Sequence, residues 1–83
     1  MKILYFAWVR EKTGLSEEDV QVPASVATIA DLVAWLKTRG ARYEAAFERA
    51  EVIRAALDQT HVKPDTPIGD AREVAFFPPV TGG

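Results

Sequence analysis

Eighty-three residues, ten Lys or Arg against twelve Asp or Glu, one histidine and no cysteine bound what this chain can be. The length suits one domain with a small core, burying roughly 60–70% of the surface an unfolded chain exposes. Without cysteine there is no disulfide, thiolate metal site or cysteine nucleophile, and a net charge of −2 argues against a nucleic-acid partner.

No apolar run approaches the ~18 residues a membrane span needs. Met1-Lys2 leads straight into a strand-like run, without the apolar core of a signal peptide. The expectation is a soluble cytoplasmic domain with no membrane partner.

Lys2 to Arg10 is rich in aromatic and β-branched residues and holds neither Gly nor Pro. It reads as a strand with Ile3, Tyr5, Ala7 and Val9 on one face and Leu4, Phe6, Trp8 and Arg10 on the other. Glu11 to Glu18 is polar, carries Gly14 and reads as a turn. Asp19 to Val22 alternates and stops at Pro23, which suits a short edge strand pairing back on the first.

A helix follows. Ile29, Leu32, Val33 and Leu36 form an apolar stripe behind Thr28, which with Asp31 makes a weak capping box. Gly40 is placed to end that helix in a left-handed conformation. Arg42 to Glu51 reads as a shorter helical stretch with Tyr43, Ala46, Phe47 and Ala50 inward. Two short strands, Val52 to Leu57 and Thr60 to Val62, flank a turn at Asp58-Gln59. The last strand, Glu73 to Phe77, must end there, because Pro78 and Pro79 lack the N–H a sheet ladder requires.

The first and last strands, apolar on both faces, are expected to be neighbours in the middle of one mixed sheet. The main helix then packs on one face, which is an α+β, ubiquitin-like β-grasp arrangement. The globular domain would comprise residues 1–77, and residues 78–83 an extended tail.

Phosphate-loop, dinucleotide-binding, serine-hydrolase and zinc-protease signatures are absent from the chain. His61 stands alone and reads as an ordinary, partly exposed side chain. No pair of carboxylates suggests acid–base work, so an independent enzyme is not expected.

The chemistry points to the end of the chain, Phe76-Phe77-Pro78-Pro79-Val80-Thr81-Gly82-Gly83. A proline pair favours a stiff extended backbone, and Val80 and Thr81 prefer the same. Six residues beyond Phe77 reach up to about 20 Å at ~3.3 Å each. Gly82 and Gly83, lacking side chains, could pass a channel too narrow for a Cβ. A carboxylate presented this way is a nucleophile toward a nucleotide α-phosphate. Once adenylated, it becomes an acyl group open to sulfur or amine attack.

Glu73 to Gly83 with its Phe-Pro-Pro-Val-Thr-Gly-Gly ending, Tyr5 to Glu11 with Gly14 after it, and Gln59-Thr60 together resemble a known family. It is that of the small, sulfur-carrying subunit of molybdopterin synthase, and the resemblance spans the whole chain. It implies a carrier cycle in molybdenum cofactor biosynthesis with no cofactor bound. An adenylating enzyme would use ATP to activate Gly83, and a sulfurtransferase would convert it to a thiocarboxylate. The tail would then enter the large catalytic subunit and donate sulfur to cyclic pyranopterin monophosphate, in a complex of two small and two large subunits. Gly83 would carry the chemistry, and Pro78, Pro79, Val80, Thr81 and Gly82 would set reach and passage.

In two places the chain departs from the family pattern. Ala71-Arg72 stands where a Gly-Asp pair is common, with Gly69-Asp70 available to supply the turn, and Asp58 stands where Asn is usual.

Phe6, Trp8, Phe76 and Phe77 are candidates either for the core or for an apolar patch where partners dock. Three other functions use the same features: a carrier for another pathway such as thiazole synthesis, a ubiquitin-like modifier forming isopeptide bonds through Gly83, and a plain interaction module.

Overall fold

A computed structural model describes residues 1–79. In chain order the elements are β1 (Lys2–Tyr5), α1 (Ala7–Thr13), β2 (Glu17–Asp19), α2 (Ile29–Lys37), α3 (Ala41–Ala46), a 3-10 turn (Ala50–Val52), β3 (Arg54–Leu57), β4 (Thr60–Val62) and β5 (Glu73–Phe77). The sheet order is β2-β1-β5-β3-β4. β1 and β5 run parallel at the centre and every other pair is antiparallel. This is the expected α+β, β-grasp arrangement, with the first and last strands side by side.

One face of the sheet is buried. Register places Ile3 beside Val74, Tyr5 beside Phe76, Phe76 beside Ala55 and Val74 beside Leu57, and all six are core residues. Ile29, Leu32 and Leu36 on α2, with Ala46 and Phe47 at the end of α3, complete that core. Phe47 meets Phe76 edge-on at 5.0 Å, and Tyr5 stacks on Phe76 at 6.5 Å. Each buried side chain of this size is worth about 1.5–3 kcal/mol of transfer free energy.

The first predicted strand is half its expected length. β1 ends at Tyr5, and Ala7 takes a φ of 53°, which swings the chain into α1. Val9 and Thr13 are buried one turn apart, so the second half of the aromatic run is helical. Gly14 closes α1 at a φ of 79°, and a Cβ there would lie 2.9 Å from Arg42 Nη1.

The edge strand lies two residues earlier than its alternation suggests, with Glu18 opposite Ile3 on the inner face. The reason is polar: Glu18 has partners inside, described below. Pairing continues to Val20, whose N–H donates to the Met1 carbonyl at 2.9 Å.

The predicted capping box is present in full. Thr28 Oγ1 accepts from the Asp31 N–H, and Asp31 Oδ2 accepts from the Thr28 N–H, both at 3.2 Å. Gly40 does not end α2, which is capped at Thr38; with a φ of 148° it instead leads into α3. The stretch expected as one helix from Arg42 divides into α3 and the 3-10 turn, and β3 starts at Arg54 rather than Val52.

Candidate functional site

β5 positions the tail. Its last residue, Phe77, lies opposite Arg54 of β3, and the Phe6 N–H donates to the Phe76 carbonyl at 3.1 Å. Pro78 and Pro79 follow, so the ladder stops and the chain leaves the sheet between the end of β1 and the start of β3. Val80, Thr81, Gly82 and Gly83, expected to carry the passage and the chemistry, lie outside the described residues.

The outer face of the sheet surrounds this exit. By strand alternation it carries Leu4, Ala56, Ala75 and Phe77, all half-buried. Leu4, Ala75, Ala56 and His61 lie in register across four strands. His61 is exposed and stacks on Phe77, with ring centres 5.2 Å apart. Phe6, 47% exposed, stands at the end of β1. The result is an apolar strip leading to the tail, bordered by Lys2, Glu17, Arg54 and Glu73.

The four aromatic candidates separate cleanly. Phe6 and Phe77 belong to this surface. Trp8 is half-buried and packs against the core from α1. Phe76 is 1% exposed and is withdrawn from the docking set, because its register turns it inward between Tyr5 and Ala55. His61 has no catalytic partner in the sequence to mark it; its cross-strand position beside Ala56, next to Phe77, gives it a place on the strip.

The two departures from the family pattern are accommodated together. Asp58 and Gln59 both take positive φ, 46° and 72°, as a tight two-residue hairpin turn requires. The Asp58 carboxylate accepts the N–H groups of Arg72 and Glu73, each at 3.0 Å, at the entry to β5. Gly69 supplies the positive φ of the preceding turn, at 50°.

A second polar cluster, not anticipated from sequence, lies at the other edge. Glu18 accepts from Tyr5 Oη at 2.8 Å, Tyr43 Oη at 2.7 Å and Arg39 Nη1 at 3.0 Å. Burial opposes ionisation of Glu18, but the hydrogen bonds of Tyr43, Tyr5 and Arg39, with the charge of Arg39, outweigh it and hold the carboxyl below its usual value. Burial, and then the bond each phenol donates to Glu18 and the charge of Glu18, push both phenols up. Every member has a partner, so the cluster is a structural tie rather than a poised acid or base. Among the described residues no group of His, Asp or Glu is arranged to hold a metal, and no helix is long and apolar enough to cross a membrane.

The ThiS family model matches residues 3–83. The chain is 41% identical over 83 residues to the molybdopterin synthase sulfur carrier subunit of Escherichia coli K12, covering 100% of this chain and 99% of that one. It is 31% identical, with the same coverage, to the subunit of that name from Haemophilus influenzae. A Pyrococcus furiosus structure described as molybdopterin converting factor, subunit 1, superposes with a TM-score of 0.73 at 28% identity, covering 95% of each chain. Small archaeal modifier protein 1 of Haloferax volcanii shares the fold, with a TM-score of 0.72 at 22% identity over 96% of this chain and 97% of that one. The chain belongs to the ThiS family, and within it is related over its full length to molybdopterin synthase sulfur carrier subunits.

Proposed function

We propose that this chain is the sulfur carrier of a molybdopterin synthase, with the Gly83 carboxyl as the point of attachment. The observation that carries the reading is the exit of β5 through Pro78-Pro79 beside an uncovered apolar strip, in a chain matched end to end by carriers of that name.

A Gly83 carboxylate oxygen attacks the α-phosphorus of ATP on an adenylating enzyme and displaces pyrophosphate. A sulfur nucleophile delivered by a sulfurtransferase then attacks the acyl carbon and expels AMP, and a C–S bond replaces one C–O bond. The large synthase subunit receives the tail and directs that sulfur to cyclic pyranopterin monophosphate. The chain itself supplies reach and docking: the proline pair stiffens the chain where it leaves β5, and Phe6, Phe77 and His61 seat the partner. Two carriers with two large subunits would give each active site its own tail. ATP is consumed by the activating enzyme and is not a resident ligand of this fold.

The test is intact mass after incubation with ATP, a sulfur source and the cognate adenylating and sulfurtransferase enzymes. A gain equal to replacing one oxygen by sulfur, localised to Gly83, is the expected result. No gain with enzymes of proven activity would overturn the proposal. A ladder of isopeptide-linked products on a denaturing gel would assign the tail to protein modification instead.

A further inference from the structure

On the helix side of the sheet, a groove of about 710 Å³ opens between α2 and the β3–β4 edge. Ile29, Ala55 and Phe76, all buried, form its floor, and the half-buried Val33, Ile53 and Val62 its walls. The hollow exists because Ala30, Ala50 and Ala55 contribute only methyl groups where larger side chains would fill the space. Its size falls within the roughly 300–1,000 Å³ of ordinary ligand sites.

Two further features define what fits. Lys63 and Glu51 line the groove; Glu51 is held by Arg49 at 3.8 Å, and among the described residues Lys63 forms no ion pair. β4 is also an edge strand. Its two-residue turn makes Leu57 and Thr60 a hydrogen-bonded pair, so His61, opposite Ala56, directs its N–H and C=O away from β3. That edge can accept one more strand.

We propose that this groove binds a short extended segment of a partner protein, with alternating aliphatic residues followed by an acidic one. The segment pairs its backbone with His61, sets its aliphatic side chains against Val33, Ile53 and Val62, and brings its carboxylate to Lys63. A fatty carboxylate would use the hollow and Lys63 but leave the strand edge empty. The groove lies across the sheet from Leu4, Ala75 and Phe77, so a partner engaged there and the peptide can be held together.

The experiment is a titration of the full isotope-labelled chain with the capped peptide acetyl-Val-Ile-Val-Asp-Asp-amide, followed by amide chemical shifts. Shifts at Val33, Ile53, His61 and Val62 are expected, with Leu4 and Ala75 unmoved. Binding should weaken about tenfold in the Lys63→Glu variant and when lysines replace the peptide's aspartates. Ala30→Phe, which fills the hollow, should abolish it; the exposed Lys63→Glu variant leaves the core untouched should that substitution disturb folding. Absence of shifts, shifts confined to Leu4, Ala75 and Phe77, or affinity indifferent to the charge reversals would each overturn the proposal. So would octanoate producing the same shifts with the His61 amide unmoved, which would identify a site for small amphiphiles.

Discussion

Glu18 and Tyr43 meet at 2.7 Å, and the same carboxylate oxygen takes the Tyr5 phenol at 2.8 Å. The other oxygen holds Arg39, whose guanidinium lies 4.9 Å from the Tyr43 ring centre and 5.4 Å from that of Trp35. One acidic side chain on an edge strand thus ties together β2, β1, α3 and the segment after α2. Inside the fold that arrangement is stable because no buried side-chain polar atom among the described residues lacks a partner.

Removing Glu18 should therefore cost more than an exposed ion pair does. Glu18→Ala leaves the hydroxyl of the buried Tyr5 without its acceptor, a loss of about 1–3 kcal/mol. Because the folded carboxyl sits below its usual value, its stabilising share is complete above the ordinary glutamate value of about 4.3 and is lost as pH falls through the folded one. Tyr5 and Tyr43 are displaced the other way, so their share is complete below about 10 and lost as pH rises through the displaced values. Urea unfolding across pH should show the Glu18→Ala deficit shrinking in acid. A deficit independent of pH would refute the ionic part of this account.

Asp58 and Glu73 also bond reciprocally: the Asp58 N–H donates to the Glu73 carbonyl at 2.9 Å, and the Glu73 N–H returns to Asp58 Oδ1 at 3.0 Å. Asp58→Ala loses the side-chain acceptor and places alanine at positive φ, so a destabilisation of about 1–2 kcal/mol is expected. Asp58→Asn keeps an acceptor oxygen and a residue that tolerates the left-handed region, and should remain within about 0.5 kcal/mol of the parent. Denaturant midpoints of the two variants decide this; equal losses in both would mean that the acceptor oxygen is not what matters.

The backbone at Ala7 explains why one part of the fold was legible in sequence and another was not. Glu73–Phe77 announces itself, since Val74 and Phe76 alternate inward and Pro78 ends the ladder. The Thr28–Asp31 box is equally local. Lys2 to Arg10, in contrast, carries aromatic and β-branched residues that suit a strand throughout, and no side chain signals the turn at a φ of 53°. The edge strand lies off its expected place because Glu18 faces inward, which depends on Tyr43 and Arg39 more than twenty residues away. At the site, the tail was readable as a motif. The strip beside it was not, because it is assembled from four strands and depends on their register. Ala7→Val would place a β-branched residue at positive φ and should cost about 1–2 kcal/mol, read as a lower thermal midpoint.

On the proposed reading, the exposed strip is where the large synthase subunit docks. Phe6 contributes no core contact that a substitution would remove, so Phe6→Asp should change stability by about 0.5 kcal/mol or less. It should weaken binding to the large synthase subunit by about 2 kcal/mol, as loss of an aromatic anchor commonly does. Phe76→Asp, by contrast, buries a charge at the centre of the core and should unfold the chain. Calorimetric titration beside thermal melts distinguishes the two. Full affinity in a folded Phe6→Asp variant would move the docking surface elsewhere.

Deletion of Gly83 separates the body of the protein from its proposed chemistry. The core is assembled from residues between Ile3 and Phe76, so the truncated chain should melt with the parent. Its new end, Gly82, is also a carboxylate and could still enter an adenylating site, but it would stop one residue, about 3.3 Å, short of the reacting position. Misplacement on that scale is expected to lower sulfur transfer to the pterin by about a hundredfold or more, with docking affinity little changed. The assay compares single-turnover sulfur transfer with affinity for the large subunit, on parent and truncated chains alike. Retained transfer in the truncated chain would show that the Gly83 carboxyl is not where the sulfur resides, and a parallel loss of affinity would make the last residue a docking element instead.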